Sequence, residues 1–186
     1  MIINLIEKIE KLKNEKNAII LAHYYQPPEI QELADYVGDS YYLSEIAKDC
    51  KEEIVVFCGV KFMGESAKIL STNKKILMPV MDAGCPMADM ANQEGIVKLK
   101  REYPNALVVC YINSTAEVKS HCDVAVTSSS ALNILNNIDK DQILFIPDKN
   151  LGGYIEEQFP DKEFILWDGY CKYHNKIQES DILDLK

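Results

Sequence analysis

The sequence has no Cys-x-x-Cys pair although it holds six cysteines, so neither a zinc ribbon nor a thioredoxin-type redox motif is available locally. Its eight glycines include no Gly-x-Gly and no Gly-Lys-Ser/Thr, which leaves no dinucleotide fingerprint and no phosphate loop. Basic residues are in short supply: 20 Lys and Arg face 29 Asp and Glu, giving a net charge of −9, and a nucleic-acid partner is not expected. No uninterrupted apolar stretch reaches the roughly 18 residues of a membrane span. The stretch Met1 to Lys8 lacks a basic region followed by an apolar one, so the expectation is a cytoplasmic protein with no membrane partner.

What is present suits a packed core: 47% of residues are apolar and 26% charged, unlike a disordered tail. Ile2, Leu5, Ile6, Ile9 and Leu12 follow helical spacing and predict an opening amphipathic helix. Ala18-Ile19-Ile20-Leu21-Ala22 is a short continuous apolar run, as in a strand covered on both faces. Pro28 can start the next helix, and Ser40 is a candidate N-cap for a helix over Tyr41 to Asp49. Strands are predicted at 54–57, 76–78, 106–112, 124–127, 143–146 and 164–167, with helices at 63–70 and 94–103 and others between later strands. Such alternation predicts an α/β fold with parallel sheets flanked by helices.

Self-comparison adds an internal repeat. Asn17-Ala18-Ile19-Ile20-Leu21-Ala22-His23-Tyr24 aligns with Asn105-Ala106-Leu107-Val108-Val109-Cys110-Tyr111-Ile112, and the same offset places Glu29 on Glu117, Asp35 on Asp123 and Ser40 on Ser128. Cys85 and Cys171 then become equivalent, in Ala83-Gly84-Cys85-Pro86 and Gly169-Tyr170-Cys171-Lys172. The predicted organisation is a first αβα repeat over 1–92, a second over 93–177, and the first helix of a third repeat over 178–186, which the chain does not complete. Cys50, Cys58, Cys110 and Cys122 read as small buried hydrophobes. Two loop cysteines at the carboxyl ends of parallel strands can ligate one metal centre. Two thiolates are too few for an iron–sulfur cluster, and a third repeat would supply a third while leaving one iron open as a Lewis acid.

Several segments resemble the quinolinate synthase family, iron–sulfur enzymes of de novo NAD biosynthesis. They are Leu21-Ala22-His23-Tyr24-Tyr25-Gln26, Ala34-Asp35-Tyr36-Val37-Gly38-Asp39-Ser40, Gly59-Val60-Lys61-Phe62-Met63-Gly64-Glu65 and Cys85-Pro86-Met87-Ala88, followed by Tyr111-Ile112-Asn113-Ser114-Thr115-Ala116-Glu117, Pro147-Asp148-Lys149-Asn150-Leu151-Gly152 and Cys171-Lys172-Tyr173-His174. The resemblance implies three homologous αβα domains about a pseudo-threefold axis, the third missing here. It also implies a [4Fe-4S] cluster with one cysteine from each domain, so that Cys85 and Cys171 are two of three ligands. The implied reaction condenses iminoaspartate with dihydroxyacetone phosphate to quinolinate, losing phosphate and water, after handover of iminoaspartate from L-aspartate oxidase or aspartate dehydrogenase.

By the same resemblance, Tyr25, His23 and Tyr111 are catalytic, and His23, Ser40, Tyr111, Asn113, Ser128 and His174 hold substrate. Imidazole and phenol can move protons, and hydroxyls beside helix N-termini suit anions. The sequence departs from the family at Tyr24 and Ser130, where asparagine is common, and at Lys172, where proline is common. Lys172 brings a cation near the Cys171 thiol. Without the third repeat the active site is expected to be incomplete and the 186 residues inactive. Two other readings stand beside this one: a cluster-free module for small anions such as triose phosphates or dicarboxylates, and a self-associated pair sharing four sulfurs.

Overall fold

The computed structural model describes residues 2–185, with side chains from Leu5 onward; the side chain of Ile2 in the opening stripe and Lys186 in the third-repeat helix lie outside the described residues. Two compact units follow one another, Met1–Gly84 and Cys85–Lys186. The loop from Cys85 to Asn92, grouped by sequence with the first repeat, therefore packs with the second unit. The indole N–H of Trp167 donates to the Met90 carbonyl at 3.1 Å, and Ala91 is buried beside Ile96 and Val108.

The first unit runs α1 (Ile2–Glu15), β1 (Ala18–His23), α2 (Pro28–Leu33), β2 (Tyr36–Gly38), α3 (Ser40–Asp49), β3 (Ile54–Cys58), α4 (Lys61–Leu70) and β4 (Lys75–Leu77). Its sheet has the order β2-β1-β3-β4, all parallel. Val55 and Phe57 alternate with half-buried Ile54, Val56 and Cys58 along β3, so one face of the sheet is sealed and the other is not. Leu43 and Ala47 of α3, with Phe62, Met63 and Ala67 of α4, supply buried partners.

The second unit repeats this plan. It runs α5 (Gln93–Glu102), β5 (Leu107–Tyr111), α6 (Ala116–Lys119), β6 (Val124–Val126), α7 (Ala131–Asn136), β7 (Gln142–Ile146), α8 (Lys149–Gln158), β8 (Glu163–Leu166) and a short α9 (Glu179–Leu183), with parallel sheet order β6-β5-β7-β8. Both faces of this sheet carry a closed core, one around Val108, Leu144 and Ile146 and one around Val109, Phe145 and Ile155. Each such fully buried large side chain stabilises the fold by about 1.5–3 kcal/mol. The α/β class and the parallel sheets thus follow the predicted alternation.

Several local expectations change. The three-residue β2 has too little apolar sequence to stand out, yet it pairs with Leu21, Ala22 and His23 of β1. Ser40 does not cap α3; it is the first helical residue, and the Asp39 carboxylate one position earlier accepts the Tyr41 and Tyr42 amides at 2.9 and 2.8 Å. At the equivalent turn the Thr127 hydroxyl accepts the Ser130 amide at 3.0 Å, and Ser130 Oγ accepts the Thr127 amide at 2.9 Å, so Ser128 is not a cap either. Of the four cysteines expected to be buried, Cys110 is; Cys50, Cys58 and Cys122 are half-buried. Cys50 Sγ accepts from Lys74 Nζ at 2.8 Å, and Cys122, packed against the core around Val108, donates from Sγ to the Val118 carbonyl at 3.0 Å, so both half-buried thiols have polar partners.

The repeat is most exact at an aspartate. Asp35 Oδ2 accepts the Ile20 amide at 2.8 Å while its own amide donates to the Ile20 carbonyl at 2.8 Å. Asp123 does the same to Val108, at 2.9 Å in each direction. Lys13 Nζ reaches Asp35 at 2.8 Å; burial works against its charge, but Asp35 and Glu10 outweigh burial and hold the ammonium pKa above the usual lysine value. Replacing either aspartate by alanine leaves a strand amide without its acceptor and is expected to cost about 1.5–3 kcal/mol, read as a lower urea midpoint at unchanged slope. Midpoints unmoved in both variants would show that the clasps carry no stability.

Candidate active site

His23, Tyr25, Ser40, Tyr111, Asn113 and Ser128 sit at, or within two residues of, the carboxyl end of a strand, while Cys85, Cys171 and His174 lie further along the loops after β4 and β8. In the first unit β1 ends on His23, whose ring lies 4.0 Å from that of Tyr25, centroid to centroid. The Tyr25 hydroxyl donates to Met63 Sδ at 3.6 Å, so α4 fixes the phenol over the strand end. Gly38 lets β2 close beside it, because a Cβ there would meet the Tyr42 ring at 2.3 Å. Asp39 and Ser40 then begin α3. Burial lowers the His23 pKa below the ordinary histidine value, and the Asp39 carboxylate partly opposes it. The imidazole is therefore neutral near pH 7 and can accept a proton.

In the second unit β5 ends on Tyr111. The fully buried Ser114 donates from its hydroxyl to the Tyr111 carbonyl at 2.8 Å, and Lys119 Nζ donates to the Ser114 carbonyl at 2.8 Å, which pins the loop carrying Asn113. Burial raises the pKa of the Tyr111 phenol; a hydrogen bond with Ser128 works the other way, and negative charge at Asp148, Cys171 and Cys85 adds to the rise. Tyr111, Ser128, Asp148 and both predicted cluster cysteines all belong to this unit.

The two cysteine loops have the same local structure. The Asp89 amide donates to the Cys85 carbonyl at 3.1 Å and the Asn175 amide to the Cys171 carbonyl at 2.9 Å, each opening a short 3-10 turn, Ala88–Met90 and His174–Lys176. Met90 joins them, since its carbonyl accepts from the Trp167 indole and its sulfur accepts the Tyr170 amide at 3.4 Å. Gly169 permits the approach: a Cβ there would lie 2.3 Å from the Pro147 carbonyl oxygen.

Not every predicted residue joins the group. His174 is exposed on its turn, and the Lys172 ammonium sits 5.1 Å over the Tyr173 ring. Tyr24 is also exposed, with its carbonyl accepting from Gln31 at 2.9 Å. Two residues of the Pro147-Asp148-Lys149 segment have roles that the sequence alone does not assign. Asp148 is buried and caps α8 through the Asn150 and Leu151 amides, and Lys149 bonds Asp168 at 2.7 Å beside the Cys171 loop. The signal for Asp148 was a Pro-Asp step before a helix, the pattern of a cap.

Residues 7–186 match the family described as Quinolinate synthetase A protein. The chain belongs to the quinolinate synthase family. It is 74% identical over 183 residues to the quinolinate synthase of Clostridioides difficile (strain 630), covering 98% of this chain and 60% of that one. With the quinolinate synthase of Clostridium perfringens (strain SM101 / Type A) identity is 67% over 180 residues, covering 97% and 60%, and with that of Clostridium novyi (strain NT) it is 61% over 186 residues, covering 100% and 62%. The chain thus spans about 60% of the length of these curated quinolinate synthases. A likeness to the E-1-hydroxy-2-methyl-but-2-enyl-4-diphosphate reductase of Plasmodium falciparum, at 18% identity and a TM-score of 0.31 over 86% of this chain and 54% of that one, carries no weight. Among the described residues no group of three or more His, Cys, Asp or Glu gathers. No helix among the described residues is long and apolar enough to cross a membrane.

Between its lowered pKa and the ordinary histidine value, His23 binds a proton in the unfolded chain but not in the folded one. Its contribution to stability therefore falls as pH drops through that window. In a ring-proton NMR titration His23 is expected to titrate below the ordinary histidine value, and Asp39→Asn to move it lower still. A His23 that titrates at the ordinary value in both proteins would contradict the burial described.

Proposed function

We propose that these residues are part of a quinolinate synthase active site, which condenses iminoaspartate with dihydroxyacetone phosphate to quinolinate, phosphate and water. The observation that supports this reading is that the Cys85 and Cys171 loops, fastened through Met90, share a unit with Tyr111, whose phenol pKa is raised by burial first and by negative charge at both cysteines. Soft thiolate donors suit iron–sulfur ligation, so the pair fits a [4Fe-4S] cluster as two of three ligands, with the third sulfur from outside these residues. When bound, the cluster supplies an open iron, a Lewis acid for a substrate carboxylate or hydroxyl.

The chain's own groups divide the remaining work. The Tyr111 phenol, held protonated by burial and neighbouring negative charge, donates a hydrogen bond to a substrate carboxylate. His23 takes up a proton at its ring, and Tyr25, stacked on it, returns one. Ser40 stands at the first turn of the ten-residue α3, where free backbone amides favour an anion, and its hydroxyl is spared because Asp39 does the capping. Ser128, equivalent to Ser40 by the repeat, lies three residues before α7 and bonds the Tyr111 phenol, and Asn113 sits in the loop pinned to the Tyr111 carbonyl. His174 binds substrate from its exposed turn. Iminoaspartate, an imine labile in water, is handed over by an oxidising enzyme such as L-aspartate oxidase or aspartate dehydrogenase.

After anaerobic reconstitution the 186 residues are expected to hold iron weakly and to form no quinolinate, while a full-length relative treated identically does both. Turnover by the 186 residues would overturn the incompleteness of the site. The Ser40 hydroxyl, spared by the Asp39 cap, also favours a second reading, a cluster-free module for small anions. Calorimetric titration of the apo-chain with dihydroxyacetone phosphate tests it, and absence of heat at millimolar ligand counts against it.

A further inference from the structure

At the end of the first sheet opposite His23, a lysine and a cysteine share one enclosed spot. Cys50 follows the last turn of α3 and Lys74 directly precedes β4, so both lie where strands of this sheet begin rather than where they end. Lys74 is only 7% exposed, which is uncommon for a lysine. Its ammonium donates to the Cys50 carbonyl and, at 2.8 Å, to Cys50 Sγ. Where the Tyr170 amide bonds Met90 Sδ, the corresponding nitrogen–sulfur distance is 3.4 Å. The Lys74 nitrogen and the Cys50 sulfur are thus much closer than hydrogen bonding to sulfur requires.

Both residues are held from the main chain. The Cys50 amide donates to the Ile46 carbonyl at 2.9 Å and the thiol to the Ala47 carbonyl at 3.5 Å. The Lys74 amide donates to the Ser71 carbonyl at 3.1 Å, and its carbonyl accepts from Lys68 Nζ at 2.7 Å. With the thiol proton on Ala47, a sulfur lone pair faces the amine. The sulfur is also within reach of small solutes, because Cys50 is half-buried and lines a concavity of about 620 Å³ with Ile46, Asp49 and Lys51. Neither a carbonyl nor a thiol carries the full opposite charge that offsets burial of an ammonium, so the pair is a poor device for stability alone.

We infer that Cys50 and Lys74 form a modification site, where a peroxide joins thiol and amine through one oxygen into a covalent N–O–S bridge. The thiol takes one oxygen from a first peroxide, giving a sulfenic acid and water. The amine, once its ammonium proton has passed to solvent, takes one oxygen from a second peroxide, giving a hydroxylamine and water. The hydroxylamine oxygen then attacks the sulfenic sulfur, and the sulfenic oxygen leaves as a third water. Sulfur and nitrogen are each oxidised by two electrons, and both peroxides are reduced. Relative to the reduced chain, the bridge adds one oxygen and removes two hydrogens. Two equivalents of a dithiol reopen it to thiol, amine and one water. The bridge ties the end of α3 to the start of β4, away from the candidate active site, so the inference does not depend on the reaction proposed above.

The test treats the pre-reduced, cluster-free chain with hydrogen peroxide and digests it with trypsin in the absence of reductant, with peptide mass spectrometry as the readout. A peptide pair joined through Cys50 and Lys74 with that elemental change is expected, together with lost cleavage after Lys74, and dithiothreitol should abolish both. In Lys74→Arg the joined pair should fall at least about tenfold while Cys50 runs on to the sulfinic acid. Cys50→Ser should lack the pair altogether. In urea, where the fold no longer holds the two side chains together, peroxide should give sulfinic Cys50 with Lys74 intact. A folded chain that yields sulfinic Cys50 beside unmodified Lys74, a Cys50 untouched by peroxide, or a bridge formed equally in urea would each overturn the inference. The comparison of folded and urea-treated chains decides even if Lys74→Arg does not fold.

Discussion

The carboxylates of Asp35 and Asp123 each close a crossover onto the strand that precedes it, accepting a strand amide and returning the aspartate's own amide to the same residue's carbonyl. Because both clasps grip the strand three residues before its last, they fix where β1 and β5 end. His23 and Tyr111 are those last residues. Everything read as functional is placed relative to these two ends: the turn at Asp39 and Ser40 in one unit, the turn at Thr127 to Ser130 in the other. A buried strand amide without a partner costs more than a typical hydrogen bond gains, so the clasp is a constraint as well as a contact.

A second constraint acts on the cysteines. Equivalent by repeat, Cys85 and Cys171 would sit at equivalent places in separate units if each loop packed on its own sheet. The Cys85 loop instead crosses to the unit that follows, where Met90 receives the Trp167 indole and the Tyr170 amide. That crossing brings both cysteine loops into the unit that holds Tyr111. Gly169 allows it by accepting a backbone carbonyl where a side chain would collide.

Much of this was legible in the residues. Continuous apolar runs marked most of the strands, and the coincidence of Asn17, Asp35 and Ser40 with Asn105, Asp123 and Ser128 marked the repeat. The site residues were legible chiefly through family resemblance, since a histidine or tyrosine at a strand end is also an ordinary packing residue. Other features were hidden for physical reasons. Asp39 and Ser40 are adjacent cap-type residues, and the choice between them is set by the pairing of Gly38 with His23, a tertiary fact. The crossing of the Cys85 loop depends on contacts about 77 residues apart, which no local pattern encodes. Asp148 lay inside a quoted motif, but its burial and capping role come from the packing of α8.

The central claim is that both cysteines lie within electrostatic reach of the Tyr111 phenol, and the phenol itself can report it. With tyrosines labelled at the ring Cζ carbon and the Tyr111 signal assigned by its loss in Tyr111→Phe, the apo-chain should show this phenol titrating above the ordinary tyrosine value. Cys85→Ala and Cys171→Ala should each lower it, because each removes a nearby thiolate charge, and the double variant should lower it further. A Tyr111 titration unchanged in both single variants would contradict the account.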